Sequence, residues 1–118
     1  MKITMRKIED VTVMELDGRL VLGDDTEQFR TRIRELIDSG AKKILLNLGS
    51  VQYVDSSGVG ELVRAYASAS SQGGQLKLVN LTRRIHDLLS VTKLLTVFES
   101  YENEMRAMDS FRKQSVQA

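Results

Sequence analysis

Residues Lys42 to Leu62 read KKILLNLGSVQYVDSSGVGEL. Ile44, Leu45, Leu46 and Leu48 form a near-continuous apolar run, as a strand covered on both faces requires. Downstream, Val59, Leu62, Val63, Tyr66 and Ala67 recur at helical spacing until Gly73-Gly74 stops them. A doubly covered strand feeding an amphipathic helix is half of a βαβ unit, so the sheet around it is expected to be parallel. Between the two lies Asp55-Ser56-Ser57-Gly58-Val59-Gly60, at the carboxyl end of the strand, where open α/β sheets carry their functional loops.

Working outward, Lys2 to Ile8 and Val11 to Leu16 alternate apolar and polar residues around Glu9-Asp10, the pattern of a β-hairpin. Asp17-Gly18 either ends the second strand or starts a bulge. Gly23-Asp24-Asp25-Thr26-Glu27 reads as an acidic helix start, followed by Phe29, Ile33, Leu36 and Ile37 on one stripe and a stop at Ser39-Gly40. Gln75 to Asn80 is a further strand. Thr82 caps a helix with Ile85, Leu88 and Leu89 inward, and Thr96-Val97-Phe98 reads as a short last strand. Tyr101 to Arg112 closes the chain as a helix with Tyr101, Met105, Met108 and Phe111 on one side. The order β-β-α-β-α-β-α-β-α predicts an α/β fold: an N-terminal hairpin leading into βα units, with a mostly parallel mixed sheet of about five strands and four main helices.

At 118 residues the chain has the length of one domain, with a loose tail expected over 114–118. It is 42% hydrophobic and 28% charged, the balance of a folded domain and far from that of disorder. Its formal net charge of +1, with no basic block, argues against nucleic acid or an anionic membrane as the main partner. Cysteine is absent, which removes disulfides, thiolate nucleophiles and Cys-ligated metal from consideration. There is neither an apolar span of membrane length nor a signal-type start, and the chain reads as a small cytoplasmic protein.

The Asp55–Gly60 segment holds more than a helix start needs. One of Asp55, Ser56 and Ser57 suffices as an N-cap, which leaves two small polar groups unassigned. Gly58 and Gly60 each cost about 1 kcal/mol relative to Ala within a helix, a cost tolerated where another surface approaches the backbone closely. A glycine-tolerant helix start and a functional surface fit these residues equally well.

VDSSGVG, preceded by ILLNLGSVQY and followed by a helix, resembles the signature of the STAS domain family, in particular the bacterial anti-sigma factor antagonists. The likeness extends to the Gly18-Arg19-Leu20 turn, the acidic helix start, GGQLKLVN and VTKLLTVFES. It implies a partner switch that regulates sigma-factor-dependent transcription. In the family, the Ser after the motif Asp is phosphorylated by a kinase that is also the anti-sigma factor, and the phosphoprotein lets go. Here that residue is Ser56. Chemically, Ser57 is an equal acceptor, and only the resemblance selects between them. The implied partner surface comprises Asp55, Ser57, Gly58, Val59 and Gly60, with Asp24 joining from the acidic start. Asp55 orients the hydroxyl, meets the partner or is a simple cap. The implied partners are the serine kinase and a phosphoserine phosphatase, with the protein itself a monomer or weak homodimer. Leu20 to Gly23 is about two residues longer than the family pattern, which bears on partner choice. The alternative is a STAS scaffold or regulatory module of a larger assembly that frees no sigma factor.

An enzyme is not expected. Gly-x-Ser-x-Gly is missing around Ser57, His86 sits beside Ile85 on an amphipathic helix, and one His without Cys makes a poor zinc site. The chain also lacks both Gly-rich phosphate-binding motifs, so no cofactor and no metal are expected. Met5, Met14, Met105 and Met108 read as gap-filling side chains, and Arg30, Arg32 and Arg34 as a solvated face. Arg83-Arg84 opens a helix against the dipole preference and has no structural reason in the sequence. A docking patch for an acidic partner is the functional reading of that pair.

Overall fold

The alternating start folds back on itself in the computed structural model, which describes residues 1–116. Strands β1 (Lys2–Ile8) and β2 (Val11–Leu20) pair antiparallel, with Ile8 opposite Val11. Glu9 makes the reversal in the left-handed region, at φ 56°. Of the two readings of Asp17-Gly18, the bulge is realised. The register of β2 shifts at Glu15/Asp17 and again at Gly18/Arg19, and the strand continues to Leu20.

Helix α1 (Asp24–Asp38) follows, with Gly23 as N-cap. It ends where Gly40, at φ 94°, lets the Gly40 and Ala41 amides donate to the Ile37 and Leu36 carbonyls. That is a Schellman closure. Then come β3 (Lys43–Val54), α2 (Ser56–Ser71), β4 (Gln75–Val79), α3 (Arg83–Val91), β5 (Ser100–Tyr101) and α4 (Glu104–Val116). The sheet order is β1-β2-β3-β4-β5, parallel throughout except for the β1–β2 pair. Each parallel crossover advances in the same direction. Right-handed connections therefore stack α1, α2 and α3 on one face.

Alternation along β3 shows both faces at work. Ile44, Leu46 and Leu48 join Phe29, Leu62 and Leu89 under the three helices, whereas Leu45 points to the other side with Val11, Val13, Ala107 and Phe111. Among the described residues, α4 is the one helix that covers that second face. Lys77 of β4 is fully buried there, paired with Glu99 at 2.9 Å and with its ammonium 4.6 Å from the Phe111 ring centroid.

Several expectations need correcting. Thr96-Val97-Phe98 is a turn, in which the Val97 amide donates to the Leu94 carbonyl. Phe98 is apolar because its ring packs edge-on against Tyr66, 5.4 Å between centroids, and the last strand forms at Ser100–Tyr101. The closing helix begins at Glu104, because the Asn103 side chain accepts from the Arg106 amide and Tyr101 is held in β5. That phase seats Ala107, Met108 and Phe111 on the sheet and turns Met105 outward, 75% exposed. Similarly, α2 buries Ala65 and Ala69 and leaves Ala67 exposed. The tail expected to be loose from 114 is helical through Val116, and residues 117–118 lie outside the described residues.

Candidate functional site

β3 outruns β4. Beyond Asn47 it pairs only with the end of β2, Gly18 with Val51 and Leu20 with Val54, and then turns into α2. Asp55 makes that turn as the N-cap in extended conformation. Its Oδ1 accepts from the Gly58 amide at 2.9 Å and its Oδ2 from the Leu22 amide at 3.0 Å. The cap reading of Asp55 is thus the one realised, with a second job added. One carboxylate closes the first turn of α2 and ties it to the β2–α1 loop that leads into Asp24, the first residue of α1. Bonds from the Leu22 and Gly58 amides hold the Asp55 carboxyl below the usual Asp range. The stabilising bonds are therefore complete above that range and fade as pH falls through the lowered value. Asp55→Asn is expected to lower the melting temperature at pH 7, to narrow its gap to wild type toward pH 3, and to speed amide exchange at Leu22 and Gly58.

Ser56 is the first residue of α2 and is exposed, and its hydroxyl has no hydrogen bond within the described residues. Ser57 is half-buried. The two glycines separate. Gly58 is buried, and a Cβ there would overlap the Leu20 carbonyl and stand 2.8 Å from Val54 Cγ1. Its reason for being glycine is the passage of α2 over the end of β2, not access for a partner. At Gly60 a Cβ would meet only Arg64 Nη1, at 3.6 Å, which is ordinary contact. Val59 points into the core at 7% exposure. Asp24 is exposed at the first position of α1, and Leu22 on the tethered loop before it is 75% exposed. An open groove of about 800 Å³ runs from Tyr53 and Ser56 between α2 and α3, floored by Val59, Val63, Leu88 and Leu94.

A family model for the STAS domain matches residues 2–107. The chain belongs to the STAS domain family. An anti-sigma F factor antagonist from Paenibacillus polymyxa is 27% identical over 109 residues, 92% of each chain. The crystal structure of a Thermotoga maritima protein provisionally named an anti-sigma factor antagonist matches with a TM-score of 0.88 at 27% identity, over 93% of this chain and 94% of that one. The anti-sigma factor antagonist SpoIIAA, in its unphosphorylated form, shares the fold with a TM-score of 0.73 at 23% identity, over 94% of this chain and 98% of its own. Bacillus SpoIIAA has also been solved in the phosphorylated form.

The STAS domain carries two further features near this motif that the sequence did not announce. Glu61, directly after Gly60, is 4% exposed and bonded to Arg30 of α1 at 2.6 Å and to Arg64 at 2.8 Å. The Arg30 guanidinium, ahead of Arg64, holds the Glu61 carboxyl below the usual Glu range. Glu61→Gln is expected to loosen α1 from α2 at neutral pH. Its stability deficit should shrink as pH falls from the usual Glu range through the lowered value, where wild type loses the same charge. Melting curves between pH 7 and 3 check this.

The second feature is Tyr53. It is 39% exposed and receives two guanidinium groups, Arg19 at 5.4 Å and Arg84 at 5.5 Å from its ring centroid. Each such contact is worth about 0.5–1 kcal/mol at an exposed site. Helix periodicity could not flag Arg84, because its partner lies across the fold on β3. His86 is half-exposed with its Nδ1 3.6 Å from Asp87 Oδ1, and no cluster of three or more His, Cys, Asp or Glu forms a metal-type group among the described residues. No helix among them is long and apolar enough to cross a membrane.

Proposed function

We propose that this STAS domain is an anti-sigma factor antagonist that binds an anti-sigma factor with serine kinase activity and is released when Ser56 is phosphorylated. The observation that carries the reading is the Ser56 hydroxyl: exposed, unbonded, and held at the first position of a capped helix. The relatives named as anti-sigma factor antagonists support the choice of partner. Sigma-factor-dependent transcription is the output, the cytoplasm the place, and a phosphoserine phosphatase resets the switch. Catalysis is left to the partner enzymes.

The physics of a helix N-terminus favours this use of Ser56. A phosphoserine carries about −1.5 to −2 charges, and the free amides and dipole of α2 stabilise it by about 0.3–2 kcal/mol, so the fold tolerates the modification. The chain's formal charge would fall from +1 to about −0.5 to −1. Within an interface the same group must be desolvated beside Asp55, and like-charge placement there costs several kcal/mol. Of the implied contact residues, Ser57, Gly60 and Asp24 offer side-chain or backbone surface. Asp55 is half-buried at the same edge, Gly58 and Val59 shape that surface from beneath, and Leu22 adds an apolar contact the sequence did not suggest.

The test is displacement. Unmodified protein added to a complex of the anti-sigma factor with a fluorescently labelled sigma factor is expected to free the sigma factor, read as a fall in anisotropy. No displacement at saturating protein, or assembly of the chain into a large homotypic particle, contradicts the proposal.

A further inference from the structure

Arg19 on β2 and Arg84 on α3 converge on the Tyr53 ring from elements far apart in sequence. All three side chains are exposed, and neither arginine has a carboxylate partner among the described residues. Two carboxylates close in sequence to Arg84 and Tyr53 are committed elsewhere. Asp87 faces Arg83 at 4.0 Å, and both oxygens of Asp55 accept backbone amides. Two like charges gathered without a counter-charge around an aromatic ring leave an uncompensated positive surface, in a chain whose overall charge is nearly balanced. Tyr and Arg are also the residue types that dominate binding hot spots.

We propose that Arg19, Tyr53 and Arg84 form a docking platform for an acidic segment of the protein partner. The inference rests on the reading of Ser56 as the regulated contact and supplies the partner's chemistry. Tyr53 and Ser56 line the same groove, so a partner lying in it meets both. The acidic segment gives the release step its force. A phosphate on Ser56 places negative charge on the path of a negatively charged partner, and the two repel. This also accounts for Arg84 at a helix start, where the dipole alone disfavours cations.

Two readouts test the platform. In the first, the amide and arginine Nε–Hε signals of the full chain are followed by NMR during titration with an acetylated tetraglutamate peptide. Shifts centred on Arg19, Tyr53 and Arg84 are expected, lost in the Arg19→Gln/Arg84→Gln variant and regained in Arg19→Lys/Arg84→Lys. Shifts spread evenly over Arg32, Arg34 and Arg106 would overturn the proposal. In the second, association with the anti-sigma partner is measured at low and high salt. The double Gln variant is expected to associate about ten-fold more slowly at low salt, with a flattened salt dependence and little change in dissociation. Unchanged association and salt slope, with Ser56→Asp still abolishing binding, would refute the platform alone. Binding that survives Ser56→Asp but slows in the double variant would refute the Ser56 reading and keep the platform.

Discussion

Gly58→Ala is expected to destabilise the domain by about 3 kcal/mol, the upper end of the cost of overpacking, and to lower its melting temperature by roughly 10 °C. The obstacle is backbone: the added methyl overlaps the Leu20 carbonyl and presses on Val54 Cγ1. A flexible side chain could swing aside, but relief here requires α2 to lift off the end of β2. That same movement strains the two bonds by which Asp55 joins α2 to the Leu22 loop. Gly60→Ala is the control. It has room for the methyl and gains helix propensity, so stability should rise by up to about 1 kcal/mol. Thermal or urea denaturation of the two variants checks the contrast. Similar losses at both positions would show that the close pass of α2 over Leu20 is not what the motif's first glycine serves.

Ser56→Asp is expected to leave the circular dichroism and melting temperature close to wild type, and to weaken the anti-sigma partner on the order of 100-fold. The phosphate itself, with about twice the charge, should approach the roughly 10⁴-fold difference that takes a complex from nearly full to nearly empty. Ser56→Ala should bind as wild type does and resist release by ATP. Titration calorimetry on the three forms gives both signs of the effect. Equal affinity of wild type and Ser56→Asp would contradict a switch by charge at this position.

Much of this was legible in the sequence because local pattern and tertiary role coincide. The apolar run from Ile44 to Leu48 is doubly buried, and the hairpin turn falls at Glu9. Where the two part company, the sequence misleads. Thr96-Val97-Phe98 has strand composition, but Phe98 is apolar for the sake of Tyr66, and two residues beyond it suffice to pair with β4. Met105 fits a helical stripe whose phase is set by the Asn103 cap. The motif itself was visible and its internal division of labour was not. The difference between Gly58 and Gly60 depends on a carbonyl of β2, and the second bond of Asp55 reaches an amide in a loop 33 residues away. Long-range pairs leave no periodic trace, and for the same reason Arg84 had no explanation until Tyr53 was placed beside it.

The central claim is that one hydroxyl, exposed at the start of α2, receives the phosphate that dismisses the partner. Mass-spectrometric mapping of the phosphopeptide formed with the kinase partner and ATP addresses it most directly. A single phosphate on Ser56, absent from the Ser56→Ala protein, is the predicted result. Phosphate that persists in Ser56→Ala, on Ser57 or elsewhere, would contradict it.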